Sequence, residues 1–383
     1  MQVRVERLIS GGRALAHDSA GKRVLVAGAL PTEVVEARVE KHHASYTLAT
    51  TERILSPHPK RIDPPCPHWG VCGGCDFQYT EHSYQAALKE AIVIEALQRI
   101  GEVDPGSYRL EAQALSPKAW EYRSRVRFFV SLGSKEAGFL KRGSNTLVPI
   151  SHCPVLISSL DTLLADTTAL YSAARTQLFA NRVTGGLAEI PAFGTEEGAV
   201  LLDQTIIARV GEHPFSINAQ VFFQSNLLLL EELGTYVAAQ VLGKRVMDLY
   251  SGVGTFAAFV ARNGRAVTAV ERDRRCLHFA KTNAPTARFY SDAAEEWAKK
   301  QNEGVDTVIV DPPRVGLAAP LVPLIASWEP ERIIYVNCDA VTLSRDVQRF
   351  GKLGYRVASL KLFDLYPQTF HTESVVVLER GTS

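Results

Sequence analysis

The chain has 383 residues, a formal net charge of +1 and 46% hydrophobic residues. That length allows two or three domains with ordinary packed cores, which excludes a disordered protein. With 42 basic residues against 41 acidic ones, the totals identify no polyanion partner, and any nucleic-acid surface must be a local cluster.

The opening MQVRVERLISGG carries charges where a signal peptide needs an apolar core, and no run of about 18 apolar residues follows anywhere. The expectation is a soluble, cytoplasmic, monomeric protein with no membrane partner. Six cysteines in 383 residues are too sparse for a disulfide scaffold, and their clustering points to metal chemistry.

Residues 1–55 alternate short apolar stretches (QVRVERL, KRVLVAGAL, EVVEARVEKH, YTLATTERIL) with turn residues such as Gly11-Gly12, which predicts a small β-barrel. Such barrels often bind nucleic acid, and many only dock. The segment SPHPKRIDPPCP places four prolines before Cys66, so a boundary falls there. Residues 56–215 form a central region with a helix over 82–101, a basic strand YRSRVRFFV and strands near 137–150 and 196–210. From 216 to 383 the pattern becomes regular. A helix from Ser225 is followed by strands RVMDLY, AVTAVE, ARFYS, DTVIVDPP and RIIYVNC with helices between them. This is the pattern of an α/β, Rossmann-like, doubly wound and mostly parallel sheet. Its last two strands, YRVASLKLFDL and TESVVVLER, leave no room for a helix and should pair antiparallel at one edge.

In the central region CPHWGVCGGC supplies Cys66, Cys72 and Cys75 in a C-x5-C-x2-C spacing, and Cys153 follows 78 residues later. Structural zinc on four cysteines usually uses two C-x2-C pairs, so three plus one favours an iron–sulfur cluster over zinc. Between 117 and 143 stand seven Lys or Arg residues against two acids. Arg123, Arg125 and Arg127 alternate, so on a strand they share one face, a stripe suited to a phosphate backbone or to plain solvation.

The loop after RVMDLY carries Gly252 and Gly254 into a helix, with Asp248 before it, Glu271 ending the next strand and Asp292 the one after. A single G-x-G with two successive strand-end acids fits a nucleoside without phosphates better than a pyrophosphate, and S-adenosylmethionine fits best. Either acid alone could be a helix cap. Asp311-Pro312-Pro313-Arg314 ends the fourth strand. Methyltransferases acting on exocyclic amines end the similar loop in an aromatic residue, and Arg314 argues against that chemistry.

Cys338, in YVNCDAVTLSRD, ends the fifth strand on the same edge. A buried packing thiol, half of a redox pair and a metal ligand compete with a nucleophile. Carbon 5 of uracil attacks a methyl group only after a thiolate has added to carbon 6, and a base must then remove the carbon 5 proton. Glu373, in YPQTFHTESVVVLER beside His371, is available for that step. The pairing, more than either residue, favours a nucleophile.

These motifs, with VFFQSN, DLYSGVGTF, DPPRVGL and the closing HTES, resemble the RNA uracil-5-methyltransferases over nearly the whole chain. The resemblance implies a class I methyltransferase domain behind a TRAM-like barrel. It implies Cys338 as nucleophile, Glu373 as base, and Cys66, Cys72, Cys75 and Cys153 around a 4Fe-4S cluster. Cofactor contacts would be Gln224, Tyr250, Gly252, Thr255, Glu271, Asp292 and Asp311. Barrel and cluster together resemble the 23S rRNA branch more than the shorter tRNA branch; tRNA methylation and a non-catalytic RNA-binding role are the alternatives. Asn337-Cys338-Asp339-Ala340 departs from the family's common Ser-Cys-Asn-Pro, so the rigidity of this loop is open.

Overall fold

A computed structural model describes residues 1–179, 183–262, 264–301 and 304–381. The strands Gln2–Leu8, Ala14–His17, Arg23–Ala27, Val34–His42 and Tyr46–Ser56 close a barrel, the fifth lying between the third and fourth. Alternation along the first strand buries Val3, Val5 and Leu8, as a half-buried strand requires. Glu33, 1% exposed, accepts from Arg61 Nε at 2.6 Å and Nη2 at 2.7 Å and from the Leu30 and His58 amides. This paired buried charge fastens the barrel to the segment behind it.

The basic strand Arg125–Ser131 sits in a sheet with Ala137–Leu140, Leu147–Pro149, Leu187–Thr195 and Gly198–Leu201. The helix Ser158–Ala165 covers it with Leu160 and Leu164.

The C-terminal sheet runs, in spatial order, Arg288–Ser291, Ala266–Glu271, Arg245–Leu249, Thr307–Val310, Arg332–Asn337, Glu373–Arg380, Tyr355–Phe363 and Arg109–Leu110. Sequence order reverses at Arg245–Leu249, which makes the crevice beyond its carboxyl end the natural ligand site. Both faces are covered, because successive residues point opposite ways. Ile333 and Tyr335 pack into one apolar layer, Ile334 and Val336 into the other.

Tyr355–Phe363 and Glu373–Arg380 pair antiparallel as expected, and Glu373–Arg380 is antiparallel to Arg332–Asn337 too, but the edge itself is taken by the two residues Arg109–Leu110, parallel to Tyr355–Phe363. Two exposed residues carry no readable periodicity. The helix His82–Arg99 likewise packs against Ala340–Gly351 in the C-terminal domain's apolar layer. Its face buries Gln85 and Lys89 as well as Leu88, Ile92 and Val93. Lys89 Nζ meets Asp364 Oδ1 at 2.6 Å and the Tyr366 carbonyl at 2.9 Å, and His82 Nε2 meets the other Asp364 oxygen at 2.8 Å. Among the described residues no helix is long and apolar enough to cross a membrane.

Breaking a buried pair strands a charge. Lys89→Ala should cost about 3–5 kcal/mol of unfolding free energy, read by chemical denaturation. The Asp364 carboxyl is held below the usual aspartate range by Lys89 and His82 despite burial. Its share of stability is therefore present above that ordinary range and lost as pH falls through the native value.

Candidate active site and cofactor loop

The strand Arg245–Leu249 turns through Tyr250, Gly252 and Gly254, with φ of 62°, 54° and 80°, into the helix Thr255–Ala261. A Cβ on Gly254 would lie 3.3 Å from the Ala280 Cα, so glycine there lets the helix Arg274–Asn283 approach. The Gly252 amide donates to Glu271 Oε2 at 3.1 Å, and the Asp273 amide to Glu271 Oε1 at 2.7 Å. Beneath the loop, buried Asp248 accepts from the Ala257 amide at 3.1 Å. Its second oxygen and the Ser251 hydroxyl are buried without a hydrogen-bond partner among the described residues. Burial, with Asp311 and Glu271 nearby, pushes the Asp248 carboxyl up to about 8. Unmet buried acceptors beside clustered acids suit a ligand bringing positive charge and N–H donors, as S-adenosylmethionine does.

The remaining predicted cofactor residues divide. Thr255 opens the loop helix, and the Tyr250 hydroxyl donates to Glu295 at 2.8 Å. Asp292 lies at the same sheet edge, but its carboxylate is engaged by Lys300 at 2.8 Å and the Ala293 amide at 2.9 Å. Gln224 is buried and accepts from the Tyr366 hydroxyl at 3.1 Å.

Cys338, Asp311 and Glu373 come from three neighbouring strands and converge. The thiol is partly buried, and the Arg314 guanidinium is near enough to favour its thiolate. Burial and the carboxyls of Glu373 and Asp311 push it up to about 12, while Arg314 opposes them. Burial lifts Asp311 to about 7. Glu373, 2% exposed, is held well above the usual glutamate range by burial and by Asp311. A carboxyl so displaced is a stronger base than a solvated one. His371 is kept neutral by burial and by Arg314, Lys89 and Arg123, its pKa near 3.

The Arg314 loop is braced from behind. The Gly316 amide donates to the Pro313 carbonyl at 2.8 Å, closing a turn, and Gly316 has φ 74°. A Cβ there would lie 2.5 Å from the Arg345 guanidinium and Asp346 carboxylate. Arg345 donates to the Val315 carbonyl at 2.9 Å, Asp346 accepts from the Leu317 amide at 2.8 Å, and the Thr342 hydroxyl donates to the Arg314 carbonyl at 3.0 Å.

The loop that carries Cys338 is braced by hydrogen bonds although it lacks proline. Asp339 caps the helix Ala340–Gly351, accepting from the Val341 and Thr342 amides at 3.1 and 2.9 Å, while Asn337 accepts from the Asp339 amide. Ala340 occupies the first helical position, where proline is merely favoured.

Cys66, Cys72, Cys75 and Cys153 line one cavity of about 890 Å3, together with Arg123, Arg314, Tyr366 and His371. Burial raises the Cys72 thiol, and lifts Cys75 to about 11 and Cys153 to about 12. Among the described residues no three His, Cys, Asp or Glu side chains converge as a single metal ion requires. A four-iron cluster asks something different, one thiolate per iron, and four half-buried thiols around one hollow fit that donor set. Of the arginines, Arg127 pairs with Glu189 at 3.0 Å. Arg125 donates to the Val221 carbonyl at 3.2 Å and lies 5.5 Å from the centre of the exposed Phe222 ring. Arg123 precedes the strand and donates back to the Arg125 carbonyl at 3.1 Å.

Sequence reading placed neither Arg314 nor Tyr366 in this centre. Each lies within a motif already noticed, DPPRVGL or YPQTFHTES, but only the fold brings their side chains to Cys338 and Glu373.

Comparison with known proteins agrees with this geometry. The tRNA (Uracil-5-)-methyltransferase family profile matches residues 298–381, and the methyltransferase small domain profile matches 218–319. The 23S rRNA (uracil(1939)-C(5))-methyltransferase RlmD of Pseudomonas entomophila is 32% identical over 429 residues, covering 98% of this chain and 93% of that protein. An uncharacterized RNA methyltransferase of Treponema denticola is 30% identical, covering 99% of each. In fold, the crystal structure of Pyrococcus abyssi tRNA (uracil-54, C5)-methyltransferase in complex with S-adenosyl-L-homocysteine matches with a TM-score of 0.74 at 22% identity, over 99% of this chain and 100% of that one. Similar to such relatives along nearly its entire length, the chain belongs to the RNA uracil-C5 methyltransferase family and is an S-adenosylmethionine-dependent RNA (uracil-C5)-methyltransferase.

Proposed function

We propose that the protein, acting as a cytoplasmic monomer, methylates carbon 5 of a uridine in 23S rRNA through a covalent Cys338 adduct, with Glu373 as the base. The observation that carries this reading is the convergence of a thiol, two displaced carboxyls and one guanidinium at the carboxyl edge, beside the cofactor loop. Arg314 favours the Cys338 thiolate, which adds to carbon 6 of the ring. The electron density this places on carbon 5 would attack the methyl that S-adenosylmethionine supplies, and the electron pair of the broken methyl–sulfur bond would stay with the departing S-adenosylhomocysteine. Glu373 then takes the carbon 5 proton, carbon 5–carbon 6 becomes a double bond again, and the carbon 6–sulfur bond breaks, returning the thiolate. A bound S-adenosylmethionine supplies an electrophilic methyl on a sulfonium; Gln224, Tyr250, Gly252, Thr255, Glu271, Asp292 and Asp311 would contact it.

The rRNA target is favoured over tRNA by the full-length relatives named for 23S rRNA. The N-terminal barrel is read as a TRAM-like RNA-binding domain. Arg123, Arg125 and Arg127, on the side of the cavity, would meet the phosphate backbone. The four cysteines would hold a 4Fe-4S cluster as thiolates, crosslinking segments far apart in the chain.

With labelled S-adenosylmethionine and an rRNA fragment, Cys338→Ala should abolish 5-methyluridine and the adduct. Glu373→Gln should instead accumulate a methylated covalent RNA–protein adduct resolved by denaturing electrophoresis. Normal turnover by either variant refutes its assigned role. Arg314→Gln should slow adduct formation by roughly a hundredfold, as loss of a preorganised charge does, with partial recovery as pH rises because the thiol then ionises without help. Anaerobically purified protein should contain iron and sulfide, read by chemical analysis and a visible charge-transfer absorption. Cys72→Ser should lose them and lower the melting temperature.

A further inference from the structure

The end of YVNCDAVTLSRD has no part in the chemistry above, yet its Asp346 is completely buried. Asp346 Oδ2 accepts from the Leu317 amide at 2.8 Å, the Tyr335 hydroxyl at 2.8 Å and Arg345 Nη2 at 3.1 Å. Oδ1 accepts from Arg345 Nε and from Arg349 Nη1, each at 2.9 Å. Every acceptor position of the carboxylate is taken. The donors come from three segments. Leu317 ends the DPPRVGL loop that carries Arg314. Tyr335 lies in the strand Arg332–Asn337, which leads into Cys338, and the two arginines belong to the helix Ala340–Gly351, which leads away from it.

Thr342, on the first turn of that helix, makes the same connection on the outer side. Its hydroxyl hydrogen is shared between the Arg314 carbonyl at 3.0 Å and the carbonyl of Asp339, the residue after Cys338, at 3.3 Å. A buried ion pair that served only the fold could be replaced by well-packed apolar groups at little cost. What a carboxylate adds is direction, because each of its hydrogen bonds fixes a distance and an angle. Here the distances fixed are those between the Arg314 loop and the two elements that flank the thiol.

We propose that Asp346 and Thr342 are positioning residues for the first covalent step, a role that rests on Cys338 being the nucleophile. Together they set where Arg314 stands relative to Cys338, and so how fast the thiolate adds to carbon 6. In that step the sulfur electron pair forms the bond to carbon 6, and the pair of the carbon 5–carbon 6 double bond moves onto carbon 5 and the carbonyl at carbon 4. Neither Asp346 nor Thr342 gains or loses a proton. Their effect is one of placement, and it acts only through Arg314.

The test is the single-turnover rate of adduct formation by the full-length enzyme with S-adenosylmethionine. The rRNA fragment carries 5-fluorouridine at the target, which has no carbon 5 proton to lose and so holds the adduct for denaturing electrophoresis. Thr342→Val should slow the step about tenfold, as loss of one hydrogen bond does, and Thr342→Ser, which keeps the hydroxyl, should recover most of the rate. Asp346→Asn should slow it about a hundredfold, as a small misplacement of a reacting group does. Because a buried carboxylate also supports the fold, the decision falls on half-buried Thr342. Added to Arg314→Gln, Thr342→Val should cost less than about twofold more, since the group it positions is gone, whereas a general structural defect would multiply the two losses. Multiplied losses overturn the positioning role, as does a wild-type rate in either Thr342→Val or Arg314→Gln. Cys338→Ala run in parallel separates the two ideas. No adduct in that variant together with multiplied losses refutes only Asp346 and Thr342, whereas an adduct in Cys338→Ala removes the nucleophile and the proposal with it.

Discussion

The peptide at Gln368 holds the enzyme together. Its carbonyl accepts from the Asp76 and Phe77 amides at 2.7 and 2.9 Å, and its amide donates to Gln85 Oε1 at 2.8 Å. The Gln368 side chain accepts from Gln85 Nε2 at 2.9 Å and donates to the Ala119 carbonyl at 3.3 Å. Thus the cysteine loop, the helix His82–Arg99 and the approach to the basic strand all meet the segment that carries Tyr366, His371 and Glu373. Gln368 has φ 68°, a conformation that costs about a kilocalorie or more in a residue with a side chain and persists only when its surroundings fix it. The surrounding bonds do so. Because buried amides left unpaired are expensive, every partner of this peptide is held to within hydrogen-bond tolerance of the catalytic loop.

That constraint explains an otherwise costly charge arrangement. Asp248 and Glu373 are buried and each feels the half-buried Asp311, with Arg314 as the cation that acts on Glu373 and the thiol. Isolated in water, such groups would separate. Here the strands that carry them are locked in one sheet, so the repulsion is expressed as displaced proton affinities instead of as motion. A positively charged cofactor relieves part of it, which couples cofactor affinity to the protonation state of the same carboxyls.

Much of this was legible in the sequence. The barrel, the alternating strands and helices and the chemistry-bearing residues at strand ends follow from periodicity and from where loops fall in a doubly wound sheet. Three things were not. The strand Arg109–Leu110 is too short to leave a pattern. Lys89 and Gln85 sit on the buried face of a helix, where periodicity predicts apolar residues; their partners, Asp364 and Gln368, lie more than 270 positions away. Tyr366 reads as an ordinary aromatic in a turn-rich stretch, because its partner Gln224 lies 142 positions away and only the fold brings it near. In the proline-free Cys338 loop, the carboxylate cap of Asp339 and the side-chain oxygen of Asn337 accept backbone amides, so hydrogen bonds stand where proline's covalent constraint would.

His82, Lys89 and the strand Arg109–Leu110 have a consequence for how the chain comes into being. They complete their contacts only with residues 355–380, and the His82–Asp364 pair spans 282 positions. At ordinary rates of protein synthesis, the early helix waits on the order of tens of seconds for its partner segment. Until then Lys89 and His82 lack their partner Asp364, and the strand that begins at Glu373 is missing from the sheet. Assembly of this centre therefore waits on the synthesis of residues 355–380, a long-range pairing of the kind that slows folding and leaves apolar surface exposed meanwhile.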